Sequence, residues 1–210
     1  EANAKVVLKG GDGVNTIRLS ASTNFGDTVT AGGGKDNITF ATADLTKADI
    51  IDGGDGSDKL VSVDDATVVD ADFTNVTNVE AISGTASFDL DLTLGSLADA
   101  AGIRTVTFTD EASTGDTVTI GKTFTSAITV VLDDNETAAS AVDASAYVGA
   151  GLTVKANISD LVDADGTVNS TITGSANTND YYNIVIDAAG GTLESPAALT
   201  NVEKITVTDG

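Results

Sequence analysis

Nine residues, Gly53-Gly54-Asp55-Gly56-Ser57-Asp58-Lys59-Leu60-Val61, constrain this chain more than any others. They read Gly-Gly-x-Gly-x-Asp-x-U-x, with U a large apolar residue, a nonapeptide that builds parallel β-helices by repetition. Glycines in the first six places permit positive φ, so the backbone can turn its carbonyls toward an ion. The aspartate adds a hard, charged oxygen, which suits Ca²⁺ better than softer metals. The last three residues then form a short strand, with Leu60 directed into a core. Taken singly, Gly-Asp-Gly is also ordinary turn chemistry, so companions in phase decide the matter.

The companions are present. Gly10-Gly11-Asp12-Gly13-Val14-Asn15-Thr16-Ile17-Arg18 fits with Asn15 in the aspartate place. Ala31-Gly32-Gly33-Gly34-Lys35-Asp36-Asn37-Ile38-Thr39 fits with Ala31 in the first glycine place. Two degenerate copies lie between: residues 22–30 keep Asp27 and Val29, and residues 44–52 keep Asp49 and Ile51. Two nonapeptides make one turn of a β-roll, so alternate loops stack on the same side. The glycine-rich loops starting at 10, 31 and 53 are expected to form one column, and those starting at 22 and 44 the opposite one. Inserts at 19–21 and 40–43 stretch the turn.

At these residues the sequence resembles the RTX family of calcium-binding secreted proteins. In that family each ion lies between two stacked loops, held by the aspartate of the sixth place and by carbonyls of the glycine-rich turn. The resemblance implies a first site between loops 10–15 and 31–36, with Asn15, Asp36 and the carbonyls of Gly10, Asp12, Gly32 and Gly34. It implies a second between loops 31–36 and 53–58, with Asp36, Asp58 and the carbonyls of Ala31, Gly33, Gly54 and Gly56. Asn15 is a neutral ligand, so the first site should be the weaker. In the opposite column, Asp27 and Asp49 are expected to hold ions weakly or not at all. The plainer alternative is that all these loops are only tight turns.

The nonapeptides stop after Val61, but runs of Thr alternating with Val or Ile continue at 79–82, 103–108, 128–132, 152–154, 182–186 and 202–207. β-Branched residues fit a pleated surface. The first four runs start 24, 25 and 24 residues apart, a period that signals a solenoid. Thr77-Asn78-Val79-Glu80-Ala81-Ile82 and Thr200-Asn201-Val202-Glu203-Lys204-Ile205 are near-copies. Phe73, Leu97, Phe124 and Tyr147 precede the strands and are expected to plug the core at a corner of each rung. The expected fold is therefore all-β: a calcium-binding β-roll over 1–65 continued by a β-rich solenoid over 66–210. A β-sandwich after the roll is the alternative.

Composition narrows the function. Mean hydropathy of +0.11 and 41% hydrophobic residues allow a sizeable core. A net charge of −22 disfavours nucleic acid and anionic membranes and favours cations. There is no Cys and no His, which excludes disulfides, thiolate or imidazole metal sites and His-based triads. No Met stands even at position 1, so the chain reads as part of a longer one. No signal peptide or membrane-spanning run is visible. Other acidic stretches, at Gly115-Asp116, Gly174 to Asp180, Asp64-Asp65, Asp133-Asp134 and Asp163-Ala164-Asp165-Gly166, read better as solvated turns than as sites. A sugar-cleaving β-helix lacks support, because there is no Trp to stack on sugars and no catalytic constellation is readable.

A nonapeptide block, then Phe73-Thr74-Asn75-Val76-Thr77-Asn78-Val79-Glu80, then Thr/Val/Ala-rich rungs, looks like bacterial surface-layer proteins of the RTX type. That resemblance implies a non-enzymatic, secreted scaffold on the cell surface. It implies Ca²⁺ as cofactor, self-association into a lattice, and cell-surface polysaccharide or lipopolysaccharide as a further partner. A calcium-stabilised spacer of a large adhesin is the competing expectation.

Overall fold

The computed structural model describes residues 5–20, 26–85, 88–109, 115–132, 140–157, 161, 170–175, 180–186, 199–201 and 204–209. The acidic pairs at 133–134 and 163–166 and the stretch 176–179 lie outside them. Every strand pairing among the described residues is parallel. The chain is a β-solenoid, and the sandwich alternative is set aside.

The longest sheet has nine strands: Thr16–Arg18, Asn37–Phe40, Lys59–Ser62, Ala81–Ser83, Thr105–Phe108, Ile128–Leu132, Leu152–Asn157, Tyr181–Ile186 and Lys204–Asp209. All six apolar runs read from the sequence beyond Val61 supply strands to it. Its register stacks Ile17, Ile38, Leu60, Ile82, Val106, Val130 and Val154 in one inward column. All seven are buried. Parallel neighbours lie about 4.8 Å apart, so each side chain packs on its equivalents above and below. The apolar place of the nonapeptide thus becomes the spine of the whole core, and the sheet passes through residue 65 without interruption.

Two other sheets close the turns. The first joins Val7–Lys9, Thr28–Thr30, Ile50–Asp52 and Val76–Thr77. The third joins Ala66–Val68, Leu90–Leu94, Thr117–Ile120, Ala141–Asp143, Thr171–Thr173 and Leu199–Thr200. The cross-section therefore changes where the nonapeptides end. Early turns are two-sided, and later ones gain the third sheet plus a corner without strands.

That corner carries the 3-10 turn Asp70–Phe73 and the helix Ser96–Ala101. Asp70 holds the helix start, its Oδ1 accepting the N–H groups of Gly95, Leu97 and Ala98 at 2.9, 3.1 and 2.9 Å. Gly102 at φ 111° ends it. Phe73, Phe124 and Tyr147 are buried at the corner as expected. Leu97 is only partly buried, and Ala98 beside it fills the interior. The Tyr147 hydroxyl donates to the Ser126 carbonyl at 2.6 Å and accepts the Gly151 N–H at 3.0 Å.

Candidate metal centre

Loops 10–15, 31–36 and 53–58 each lead from the first sheet to the long sheet, so they stack along one edge. The described parts of 19–27 and 41–49 run along the opposite edge. Both expected columns are therefore present. The glycine loops lie in hydrogen-bonding contact: Gly33 N–H donates to the Gly11 carbonyl at 3.1 Å, Asp55 to Gly32 at 2.8 Å, and Ser57 to Gly34 at 3.2 Å. Such an approach excludes side chains. A Cβ on Gly54 or Gly56, at φ 95° and 140°, would lie 1.9 and 1.6 Å from the Gly32 and Gly34 carbonyl oxygens.

The sixth place forms a ladder of its own. Asn15 N–H donates to Asp36 Oδ1 at 2.7 Å, Asp36 N–H to Asp58 Oδ1 at 2.8 Å, and Asp58 N–H to Glu80 Oε2 at 2.8 Å. The same device recurs elsewhere. Asp27 N–H donates to Asp49 Oδ1 at 2.7 Å, Leu90 N–H to Asp116 Oδ1 at 2.5 Å, and Leu152 N–H to Asp180 Oδ1 at 3.3 Å. A carboxylate just before a strand thus clamps the N–H of the equivalent residue one turn earlier. Buried backbone donors need such partners, so this much requires no metal.

The second carboxylate oxygen separates the sites. Asp27 is filled by Ser20, whose N–H donates to Oδ2 at 2.7 Å and whose hydroxyl reaches Oδ1 at 3.0 Å. Asp49 Oδ2 accepts the N–H and hydroxyl of Thr46 at 2.6 and 3.0 Å. Asp180 Oδ2 accepts the N–H and hydroxyl of Ser175 at 2.7 and 2.9 Å. In contrast, Asp36 Oδ2 and Asp58 Oδ2 are buried with no hydrogen-bond partner. Asp36 and Asp58 are 1% and 0% exposed. Burial pushes the Asp58 carboxyl above its ordinary range, and the charges of Asp36, Glu80 and Asp52 push it further, against the opposing pull of the Asp36 N–H.

Two unsatisfied carboxylate oxygens beside a stack of carbonyls make an all-oxygen, anionic donor set. It suits a hard divalent cation that takes six to eight oxygens in flexible geometry. No group of three or more acidic side chains gathers at one point among the described residues. An ion here would therefore draw most of its ligands from the backbone of loops 31–36 and 53–58. Ala31, Gly33, Gly54 and Gly56 are the carbonyls that the resemblance assigns to this level.

The first expected site differs. The Asn15 side-chain amide donates to the Gly11 carbonyl at 3.2 Å, to the Gly13 carbonyl, and to Asp36 Oδ1 at 3.0 Å. A neutral N–H₂ group thus binds the oxygens that face this level. These carbonyls belong to Gly11 and Gly13, whereas the resemblance assigned Gly10 and Asp12. Gly32 and Gly34 already accept N–H groups from loop 53–58. Gly10 and Ala31 stand at the loop entrances, their N–H groups donating to Thr30 and Asp52 at 2.9 Å each.

Glu80 ends the ladder outside the nonapeptide pattern. It follows Asp58 by 22 residues, the spacing that separates Asp58 from Asp36, and that interval was the available signal. Asn78, at φ 54°, replaces a six-residue glycine loop with a tight corner. Asn201 in the near-copy has the same φ of 54°. Of the acidic stretches expected to be solvated turns, Asp65 is exposed and Asp64 half-buried, with Asp65 Oδ1 accepting the Asp89 N–H at 3.1 Å, whereas Asp116 and Asp180 are buried as rung clamps. No protein-family model, curated protein or solved structure matches the chain.

Proposed function

We propose that this chain is a structural segment of a secreted bacterial surface-layer protein of the RTX type, stiffened by Ca²⁺ and assembled into a cell-surface lattice. The observation that carries the metal half of this reading is the pair of buried, partnerless oxygens on Asp36 and Asp58. Without a cation they repel each other, and the glycine-rich loops favour the unfolded chain through entropy. In low-calcium cytosol the chain stays loose enough to export. In millimolar calcium outside the cell, the ion bridges adjacent loops, and its binding free energy becomes folding free energy.

The scaffold half draws on one continuous nine-stranded sheet along the chain, which gives it the form of a rod. The same rod suits the spacer of a large adhesin. Cell-surface polysaccharide or lipopolysaccharide would anchor either. Circular dichroism and thermal melting with calcium and with a chelator test the switch. Calcium should raise the melting temperature by about 10 °C, as expected for about 3 kcal/mol of linked binding in a domain of this size. A β spectrum and melt that ignore chelation would sink the metal reading. Ordered arrays in calcium under the electron microscope separate lattice from spacer.

A further inference from the structure

The outward faces of the two largest sheets carry opposite charge. At the described outward strand positions of the long sheet, from Thr16 to Thr206, the charged residues are Arg18, Lys59, Lys155 and Lys204, with no carboxylate. The chain as a whole carries −22. At the described outward positions of the third sheet, the charged residues are Asp91 and Asp143, with no cation. The remaining described positions on the third sheet are mostly Thr, and those on the long sheet mix Thr with Asn, Ser, Val and Ala.

The charges also share a spacing. Lys155 and Lys204 lie two strands apart and two residues apart across the sheet, because Lys155 registers with Asn183 and Asn183 with Thr206. Arg18 and Lys59 repeat that offset, since Thr16 registers with Asn37 and Asn37 with Lys59. Asp91 and Asp143 have it too, through Thr117 and Ala141. Two strand steps are about 9.6 Å and two residues about 6.6 Å. Seen from outside, the acidic diagonal slopes opposite to the basic ones. Face-to-face contact reverses one slope, so the diagonals superimpose.

We propose that the outward face of the long sheet docks on the outward face of the third sheet of a second copy, pairing Lys155 and Lys204 with Asp91 and Asp143. This rests on reading the chain as an assembling scaffold, but not on calcium. Every copy offers both faces, so the contact is heterologous and propagates into rows. Exposed ion pairs are individually weak, which suits an array held by repetition. For two polyanions, the basic face is also the direction of least repulsion.

Charge reversal tests the pairing. Sedimentation over a concentration series in 1 mM calcium should show the native chain associating. K155E/K204E and D91K/D143K should each associate at least tenfold more weakly alone. An equimolar mixture of the two should recover association, because an acidic long sheet then meets a basic third sheet. Recovery also shows that both variants are folded. Variants that associate like the native chain, or a mixture that fails to recover while circular dichroism shows both folded, would overturn the contact. Association that survives chelation supports the contact, which rests on the two faces and not on the ion. A folded native chain that never associates overturns the contact and the scaffold reading together. If the native chain binds polygalacturonate through Lys155 and Lys204 without self-association, the face belongs to an anionic polysaccharide and the proposal fails.

Discussion

The two edges of the roll use the same residue for different ends. On one edge, Asp27 and Asp49 spend both oxygens on protein donors: Ser20, Thr46 and the Asp27 N–H. On the other, Asp36 and Asp58 use one oxygen as a rung clamp and keep the second buried and bare. The difference lies in the loops. On the degenerate edge, Ser20 of the insert and Thr46 of the loop each bring a hydroxyl and an N–H back to the carboxylate. The glycine loops offer carbonyls, which cannot donate. An aspartate before a strand is thus a structural clamp on both edges, and at Asp36 and Asp58 the glycine loops leave its second oxygen open to a cation.

Exchanging carboxylates for amides on each edge should produce the largest contrast. Asp36→Asn with Asp58→Asn should abolish the calcium-dependent rise in melting temperature, about 10 °C in the native chain. Without calcium, the same pair should melt no lower than the native chain, because the amide Oδ1 can keep the rung clamp while two buried charges, each with one oxygen that lacks a donor, are gone. Asp27→Asn with Asp49→Asn should keep the calcium response. It should lose about 1–3 kcal/mol with or without the ion, since charge-assisted clamps are broken. Calorimetry in calcium and in chelator separates the outcomes. Equal calcium responses from the two double variants would erase the distinction between the edges.

Backbone packing of the glycine edge gives the next largest effect. Gly56→Ala places a Cβ 1.6 Å from the Gly34 carbonyl oxygen at a φ of 140°. It should cost roughly 2–3 kcal/mol or more, from combined clash and backbone strain. Gly13→Ala meets nothing within 4 Å and should stay within about 0.5 kcal/mol. Urea unfolding of the two variants compares a stacked loop with the outermost one. Equal midpoints would mean that the loops do not touch.

Titration sharpens the comparison further. Burial and the neighbouring carboxylates raise the Asp58 pKa above 3.8 in the fold. The native state then binds the proton more tightly than the unfolded chain. In chelator, stability should fall as pH rises through the window from 3.8 up to the raised native value. Asp72, raised by burial, acts in the same direction. Asp99 acts in the opposite one, because hydrogen bonds from Ser126 and Thr125 outweigh its burial and lower its pKa. The discriminating quantity is therefore the native profile minus that of Asp58→Asn. That difference should slope downward with pH in chelator and reverse in calcium, where the ion needs the ionised form. A flat difference in both would remove Asp58 from the site.

Much of this was legible because a strict period carries the fold. The apolar place at Ile17, Ile38 and Leu60 recurs in phase, and its continuation through Ile82, Val106 and Val130 follows from the 24-residue spacing of the later runs. Both loop columns follow from the same count. The helix Ser96–Ala101 leaves no such trace in the sequence, because six residues are too few for a helical period to show. The role of Glu80 was hidden by a change of residue type and loop length, although its side chain does what Asp58 does. Least legible was the second carboxylate oxygen. Whether it finds Ser20, Thr46 or nothing depends on loop residues at places where the nonapeptide pattern specifies no donor.

The smallest effect concerns Asn15, and its sign is the informative part. The Asn15 amide donates to Gly11, Gly13 and Asp36, holding together oxygens that would otherwise repel. Asn15→Asp removes those donors and sets a carboxylate beside Asp36. In chelator the variant should lose about 1–2 kcal/mol, since the like charge is added and the hydrogen bonds are lost. In millimolar calcium it should recover that loss and bind one further ion, because the new oxygen restores the charge that the nonapeptide normally supplies. A calcium titration followed by calorimetry reads stoichiometry and affinity together. Destabilisation by a similar amount in both conditions, with no added ion, would mean that this level of the stack is built for an amide. The glycine column would then hold cations only between Asp36 and Asp58.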